Sequence, residues 1–219
     1  AKIIELNKYI SELEEFFTQY GKLIELIEQA DFKSEILQQL KAKVITDGKP
    51  ASSRLHDLGR ALVRLDQGNN LLVGIFINAF ALWNLKQVHS IEQWLTANKS
   101  YIAPWLDAVA EMDALNSLGN FVYNHPNYIF PEIQSGDFKL KATEAVHPLL
   151  NPEKAVGNPI DIKSGEFFII TGANMAGKST FLRTVSMSIV MANTGLPICA
   201  SNATYAPIKL ITSMRTSDS

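Results

Sequence analysis

The 219 residues carry 20 basic and 22 acidic side chains, a formal charge of −2, and 47% are hydrophobic. That balance excludes a disordered chain and a globally basic nucleic-acid tail, and the length allows one large domain or two small ones with a real core. A single cysteine, Cys199, excludes an internal disulfide and a cysteine-cluster metal site, and makes a reducing, cytoplasmic setting the expectation.

The first part of the chain reads as helical. Ile3, Leu6, Ile10, Leu13, Phe16 and Phe17 recur at three- and four-residue steps, and Leu23, Leu26, Ile27 and Ala30 continue the stripe past Gly21. A further helix is predicted from Ser34 to Ile45, followed by a turn at Thr46-Asp47-Gly48-Lys49-Pro50. Ser52 or Ser53 is then expected to cap a helix holding Leu55, Leu58, Leu62 and Leu65. After Gly68-Asn69-Asn70 an apolar helix is predicted to run to about Thr96. Its greasiest stretch, residues 71–85, contains Asn78 and Asn84 and is shorter than the roughly 20 residues of a bilayer helix, so no membrane partner is expected. Pro104 suits the first turn of another helix carrying Leu106, Val109, Met112, Leu115 and Leu118.

The pattern changes near Asn124-His125-Pro126. Tyr128-Ile129-Phe130, residues 138–142 and Phe167-Phe168-Ile169-Ile170 read as strands, and a helix is predicted from about Lys178 to Asn193. The expected architecture is a helical domain over residues 1–125 followed by an α/β part over residues 126–219. Trp83, Trp94 and Trp105, at eleven-residue spacing on apolar helices, read as core. Arg60 and Arg64 share a helix face and read either as phosphate contacts or, the commoner outcome, as a solvated face paired with Asp57 or Asp66.

Residues 172–179 spell Gly172-Ala173-Asn174-Met175-Ala176-Gly177-Lys178-Ser179, the pattern of glycine, four residues, then Gly-Lys-Ser. Between an apolar run and a helix, this is a phosphate loop. Its glycines let successive backbone N–H groups turn inward on phosphate oxygens, and the following helix adds the positive end of its dipole. Lys178 is placed to reach the β- and γ-phosphates of a nucleoside triphosphate, Ser179 to ligate magnesium, and Thr180 to meet the α-phosphate. The competing reading is a glycine-rich turn that matches by chance. The motif names neither the base nor what the energy drives.

The stretch Thr171-Gly172-Ala173-Asn174-Met175-Ala176-Gly177-Lys178-Ser179-Thr180-Phe181-Leu182-Arg183 resembles the phosphate loop of the MutS family of DNA mismatch-repair ATPases. That family typically has Asn-Met between the glycines and an aromatic residue, then Leu, Ile or Met, then Arg after Ser-Thr. Ala173 stands where Pro is usual and Ala176 where Gly is usual, which points to a divergent branch. Thr143-Glu144-Ala145-Val146-His147-Pro148-Leu149-Leu150 is similar to the family's His-Pro segment, and Asn158-Pro159-Ile160-Asp161-Ile162 to its Asn-containing strand. Thr212-Ser213-Met214-Arg215-Thr216-Ser217-Asp218 is similar to a further family segment with Thr-Arg and then Ser-Asp. The resemblance covers most of the chain and is sharpest from about Ala142 onward. It implies a helical core followed by part of a phosphate-loop ATPase domain of the ABC type. The cofactors it implies are ATP and Mg2+, and the partners are DNA and, in the full-length protein, a second copy.

Positions near the Asn strand that pack on adenine in the family correspond to about Ala155-Val156, which offer less stacking. His147 reads either as a nucleotide contact or as an edge residue held extended by Pro148. Phe130-Pro131-Glu132 spells the mismatch wedge of repair proteins by coincidence, since it does not lie on a groove-facing domain.

Hydrolysis in such a site also needs a carboxylate at the end of a second strand. After Lys178 the only acidic residue is Asp218. The expectation is therefore a piece of a MutS-like protein that holds the first half of the ATPase domain and does not hydrolyse ATP by itself. Two alternatives stand beside it. One is a structural or interaction module with a vestigial loop. The other is a phosphate-loop small-molecule kinase, which the long preceding helical part argues against.

Overall fold

The computed structural model describes residues 2–68, 83–151, 154–173 and 176–213. It is a mixed α and β chain that divides into two compact units, Ala1–Asn116 and Ser117–Ser219. Most of the apolar stretch at residues 71–85 lies outside the described residues. Among those described, no helix is long and apolar enough to cross a membrane.

The first unit is helical. It contains α1 (Lys2–Gln29), α2 (Glu35–Val44), α3 (Ala51–Gly68) and the first part of α4 (Trp83–Asn124). Two short strands, β1 (Ile45–Thr46) and β2 (Lys49–Pro50), form a hairpin between α2 and α3. Asp47 and Gly48 both have positive φ, at 52° and 68°, as a tight two-residue hairpin turn requires.

The apolar stripe of α1 predicted from sequence is used only in part: Ile27 is buried, whereas Leu23 and Leu26 are 46% and 66% exposed and Ile24, outside the predicted stripe, is buried instead. Ile24 and Ile27 join Leu40, Val44, Ala51, Leu55, Trp105 and Ala108 in one buried cluster. Small residues set the α1–α3 spacing: a Cβ on Gly21 would stand 3.7 Å from the Leu55 Cβ, and one on Gly59 3.6 Å from the Thr18 hydroxyl. Trp94 and Trp105 belong to this packing, with ring centroids 6.5 Å apart, and the Trp94 indole N–H donates to the Arg54 carbonyl at 2.7 Å. Arg60 pairs with Asp57 one turn away, as the charge pattern indicates.

Two sequence expectations are corrected here. The cap of α3 does not come from a serine side chain. Glu28 of α1 accepts the Ser52 backbone N–H at 3.1 Å and also the Ser52 hydroxyl, so a carboxylate from another helix satisfies the first turn. Pro104 does not open a helix but lies inside α4. It removes one backbone donor, and α4 continues because Trp94 and Tyr101 before it and Trp105 and Ala108 after it pack on the same cluster.

The second unit holds β3 (Glu132–Ile133), β4 (Lys139–Ala145), β5 (Asn158–Lys163), α5 (Lys178–Asn193) and β6 (Asn202–Ala206). The four-stranded sheet runs β3-β6-β4-β5. Only β3 and β6 are parallel, and β4 is antiparallel to both neighbours. Alternation along β4 buries Leu140 and Ala142, and along β6 Ala203 and Tyr205. Ile189, Met191 and Ala192 of α5 complete this core. The Tyr205 hydroxyl donates to Asn193 Oδ1 at 2.7 Å and Asn193 Nδ2 to the Ile208 carbonyl at 2.9 Å, which fastens the end of α5 to β6.

The expected strand at Tyr128-Ile129-Phe130 reduces to one bridge, Ile129 to Ile198. The expected strand at residues 167–170 lies outside every described strand. Phe167 is 86% and Ile169 76% exposed, against 52% for Phe168 and 37% for Ile170. The alternation of a strand is present, but the backbone hydrogen bonds that define one are not, because no described strand lies beside it.

At the end of β4 the ladder to β5 shifts register between Ala142 and Ala145. Glu144 there has φ of 53°, and Gly157 sits against it. A Cβ on Gly157 would fall 2.7 Å from the Glu144 Cα and 2.8 Å from its carbonyl oxygen. Gly157→Ala is expected to destabilise the second unit by about 1–3 kcal/mol, measured by urea denaturation. Glu28→Ala, which uncaps α3, is expected to cost about 1 kcal/mol in the first unit by the same measurement.

Candidate nucleotide site

The site is built around the start of α5. Gly177 precedes the helix with φ of 85° and ψ of 9°, a left-handed conformation that a side chain would strain. This turn drops the chain directly into the helix, whose first bond runs from the Phe181 N–H to the Gly177 carbonyl at 2.8 Å. No side chain caps this end and its first turn has no acidic residue. The first N–H groups of α5 therefore present uncompensated positive partial charge, the arrangement that favours an anion.

The buried side of α5 carries hydroxyls as well as apolar groups. Thr184 donates to the Thr180 carbonyl and Ser188 to the Thr184 carbonyl, each at 2.8 Å. These hydroxyls are satisfied on their own helix.

Lys178 folds back on its loop. Its ammonium donates to the Gly172 carbonyl at 2.6 Å and to the Ala173 carbonyl at 2.7 Å. The Ala176 N–H also reaches the Ala173 carbonyl, at 3.3 Å. Ser179 is exposed and Thr180 half-buried. Of the loop positions singled out from sequence, Gly172, Ala173, Ala176, Gly177, Lys178, Ser179 and Thr180 fall within the structure; Asn174 and Met175 lie outside the described residues.

A cavity of about 580 Å³ adjoins the loop. This is the size of small-ligand sites generally. The loop and first turns of α5 contribute Thr171, Ala176, Gly177, Lys178 and Thr180 to its wall. The segment from the end of β4 to the start of β5 contributes His147, Leu150, Val156 and Asn158. The structure thus brings His147 and the Asn158 strand to the same cavity as the loop. Phe181, within the loop stretch, and Thr184, which no motif marked, also line it. Their places follow from the pitch of α5.

His147 is held by its own turn. Its Nδ1 accepts the Leu149 N–H at 3.2 Å, and its carbonyl accepts the Leu150 N–H at 3.0 Å. Nearby, burial pushes the Tyr128 phenol up to about 12, and a hydrogen bond with Cys199 adds to the shift. Among the described residues no group of three or more His, Cys, Asp or Glu side chains could hold a metal ion.

Residues 168–219 match the family model of MutS domain V. The chain carries a MutS-family segment. It is 31% identical to the DNA mismatch repair protein MutS of Methanosarcina barkeri over 126 residues, 55% of this chain and 13% of that protein. It is 31% identical to the DNA mismatch repair protein spellchecker 1 of Drosophila melanogaster over 136 residues, 58% of this chain and 15% of that protein. Against MutS of Chloroflexus aurantiacus the identity is 39% over 101 residues, 44% of this chain and 10% of that protein. The matches to these MutS-family relatives thus span 10–15% of their length.

Lys178→Ala removes the tie between the ammonium and the loop carbonyls but no packed group. In the protein without nucleotide it is expected to change stability by less than about 0.5 kcal/mol while speeding amide exchange at Ala176, read by hydrogen–deuterium exchange.

Proposed function

We propose that this chain binds the triphosphate of ATP, with magnesium, in the 172–180 loop, as part of a MutS-type ATPase of the phosphate-loop class. The observation that supports this reading most directly is the joining of three features. An uncapped helix start, Lys178 and a nucleotide-sized cavity meet at one loop. In this reading the backbone of Gly172, Ala173, Asn174, Met175, Ala176 and Gly177 cradles the phosphates, Lys178 bridges the β- and γ-phosphates, and Thr180 meets the α-phosphate.

Ser179 suits magnesium. Its hydroxyl is a hard oxygen donor, exposed beside the lysine. Magnesium is commonly held by few protein oxygens, with phosphates and water completing its shell. When bound there, the ion would neutralise charge between the β- and γ-phosphates. The residues of this chain hold and orient the triphosphate. After Lys178 the only carboxylate in the sequence given is Asp218, so this piece by itself is proposed to bind without turning over.

In the longer relatives, whose names describe DNA mismatch repair, such a segment would be one part of the protein. We infer by that relationship that the full protein couples ATP to a DNA-bound state and works as a dimer. One observation favours a second reading, in which the loop is vestigial and the piece serves as an interaction module: the Lys178 ammonium is engaged by its own loop carbonyls.

Titration with magnesium-ATP separates the two. Binding that weakens about tenfold or more in Lys178→Ala supports the nucleotide site, since hydrogen bonds to charged groups contribute about 1.5–3 kcal/mol. Equal affinity in both proteins removes the loop from the account. Phosphate release measured alongside is expected to stay at background, and lysine-dependent steady turnover would overturn the binding-only reading.

A further inference from the structure

The sheet of the second unit packs one face on α5, through Leu140, Ala142, Ala203 and Tyr205. Alternation turns the residues between these to the other face. There Lys139 and Lys141 of β4 lie beside Lys163 of β5, and Lys141 lies beside Thr204 of β6. Thr143 and Asn202 oppose each other further along the same ladder. Lys141, Lys163, Thr143 and Asn202 are exposed, and Lys139 and Thr204 are half-buried. Each of these six side chains can donate a hydrogen bond.

The register sets Lys139 directly opposite Lys163. The Ser164 N–H donates to the Phe138 carbonyl at 2.9 Å, just outside that pair. A bond in this position makes 139 and 163 a non-hydrogen-bonded pair, the kind whose side chains stand closest, with Cβ atoms about 4.5–5.5 Å apart. Like charges so placed repel. Lys141 adds a third ammonium about 7 Å along the strand. Among the described residues none of the three lysines is in an ion pair. Glu166, close to the end of β5, has its carboxylate on the Lys163 backbone N–H at 2.8 Å. Two carboxylates share the face: Asp161 opposite Lys141, and Glu132 opposite Thr204.

We propose that this face of the sheet binds the phosphodiester backbone of a nucleic acid, with Lys139 and Lys163 on one phosphate and Lys141 on the next. The proposal does not rest on the 172–180 loop. Phosphate contacts in nucleic-acid complexes come from Lys and Arg and from Ser, Thr and Asn side chains, the residue types gathered here. Lysine meets phosphate as a point charge, and a phosphate between two ammoniums removes the repulsion that the register imposes. A single small anion on an open sheet surface stays solvated and weakly held. A polymer with one charge per nucleotide makes several contacts at once and releases counterions at each. An acidic peptide carries its charges on separate flexible side chains, each of which has to be ordered to make a contact. Phosphates are links of the nucleic-acid chain itself. Recognition of this kind is independent of base sequence.

The test uses the whole chain without nucleotide, a labelled short DNA duplex and a single strand of the same length, read by fluorescence anisotropy across a salt series. Binding is expected to weaken steeply as salt rises and to be alike for two unrelated base sequences. Replacing Lys139, Lys141 and Lys163 together by Gln is expected to weaken duplex binding about tenfold or more at low salt. It is also expected to lower the slope of log affinity against log salt by about 2, since each phosphate contact contributes about 0.9. Asp161→Asn removes a carboxylate from the face and is expected to tighten binding. Replacing Lys22, Lys33 and Lys49 by Gln takes the same charge from exposed positions of the helical unit and is expected to leave affinity and slope unchanged.

Binding to neither oligonucleotide at low salt overturns the proposal. So does an equal loss in the two triple variants, which makes binding a matter of total charge and not of this face. Poly-glutamate held at least as tightly as the single strand, through the same three lysines, assigns the face to an acidic protein and overturns the nucleic-acid reading. Should the sheet variant fold poorly, Asp161→Asn still decides, because its effect has the opposite sign: unchanged or weaker binding there counts against the proposal.

Discussion

The contact between Gly157 and the backbone of Glu144 is the constraint on which the site in the second unit rests. Glu144 adopts a left-handed backbone where the β4–β5 ladder changes register. Such a conformation costs about 1–3 kcal/mol for a residue with a side chain and persists only when its surroundings hold it. Here they do: the Val146 N–H reaches the Cys199 carbonyl at 2.9 Å and the Ser201 N–H reaches the Thr143 carbonyl at 3.0 Å, on either side of the bend. The absence of a side chain at Gly157 lets β5 start against the bend. Past it, the chain turns from the sheet into the cavity and delivers Val146 and His147 to the wall. A regular strand would carry the alternation of β4 through unbroken and reverse the faces of Ala145 and the residues after it.

The unpaired run at residues 167–170 shows the limit of what one segment does by itself. Its two less exposed residues, Phe168 and Ile170, line a cavity with Phe181, Leu182 and Val185 of α5. The run thus shares an apolar cavity with α5 on one face, without strand hydrogen bonds. The run leads into Thr171 and Gly172, and the loop ends ahead at the Gly177 turn. Exposed and flat in composition, such a run is also the kind of edge on which other strands add.

Local chemistry was legible in the sequence; chemistry that needs partners was not. The Asp47-Gly48 turn, the start of α5 and the loop itself all depend on near neighbours in the chain, and their positions follow from spacing alone; the stripe of α1 does not, since which of its apolar residues are buried depends on the helices packed against it. The cap of α3 depends on Glu28, more than twenty residues away, and a serine at the expected position gave no sign that its own N–H would be met by a carboxylate. Pro104 carries a strong local signal for a helix start, and packing on both sides of it prevails. The apolar residues at 167–170 have the propensity of a strand whether or not another strand lies beside them. The far wall of the cavity was half-legible. His147 and the Asn158 strand stood out individually, but their meeting depends on a ladder register that no residue encodes singly.

Lys178 joins these observations. In the protein alone its ammonium lies on two backbone carbonyls of the loop that would receive phosphate. Those bonds are charge-assisted but exposed to solvent. On the nucleotide-binding reading, a triphosphate must draw the ammonium away. It can do so because it offers formal charge where the carbonyls offer partial charge. Two unit charges about 4 Å apart attract by about 4 kcal/mol at an effective dielectric of about 20. The open first turn of α5 adds donors that the carbonyls cannot use. The exchange still lowers apparent affinity by the fraction of molecules in which the lysine is free. On that reading the two carbonyls set a threshold: weak anions leave the ammonium where it is, and a multiply charged ligand draws it away.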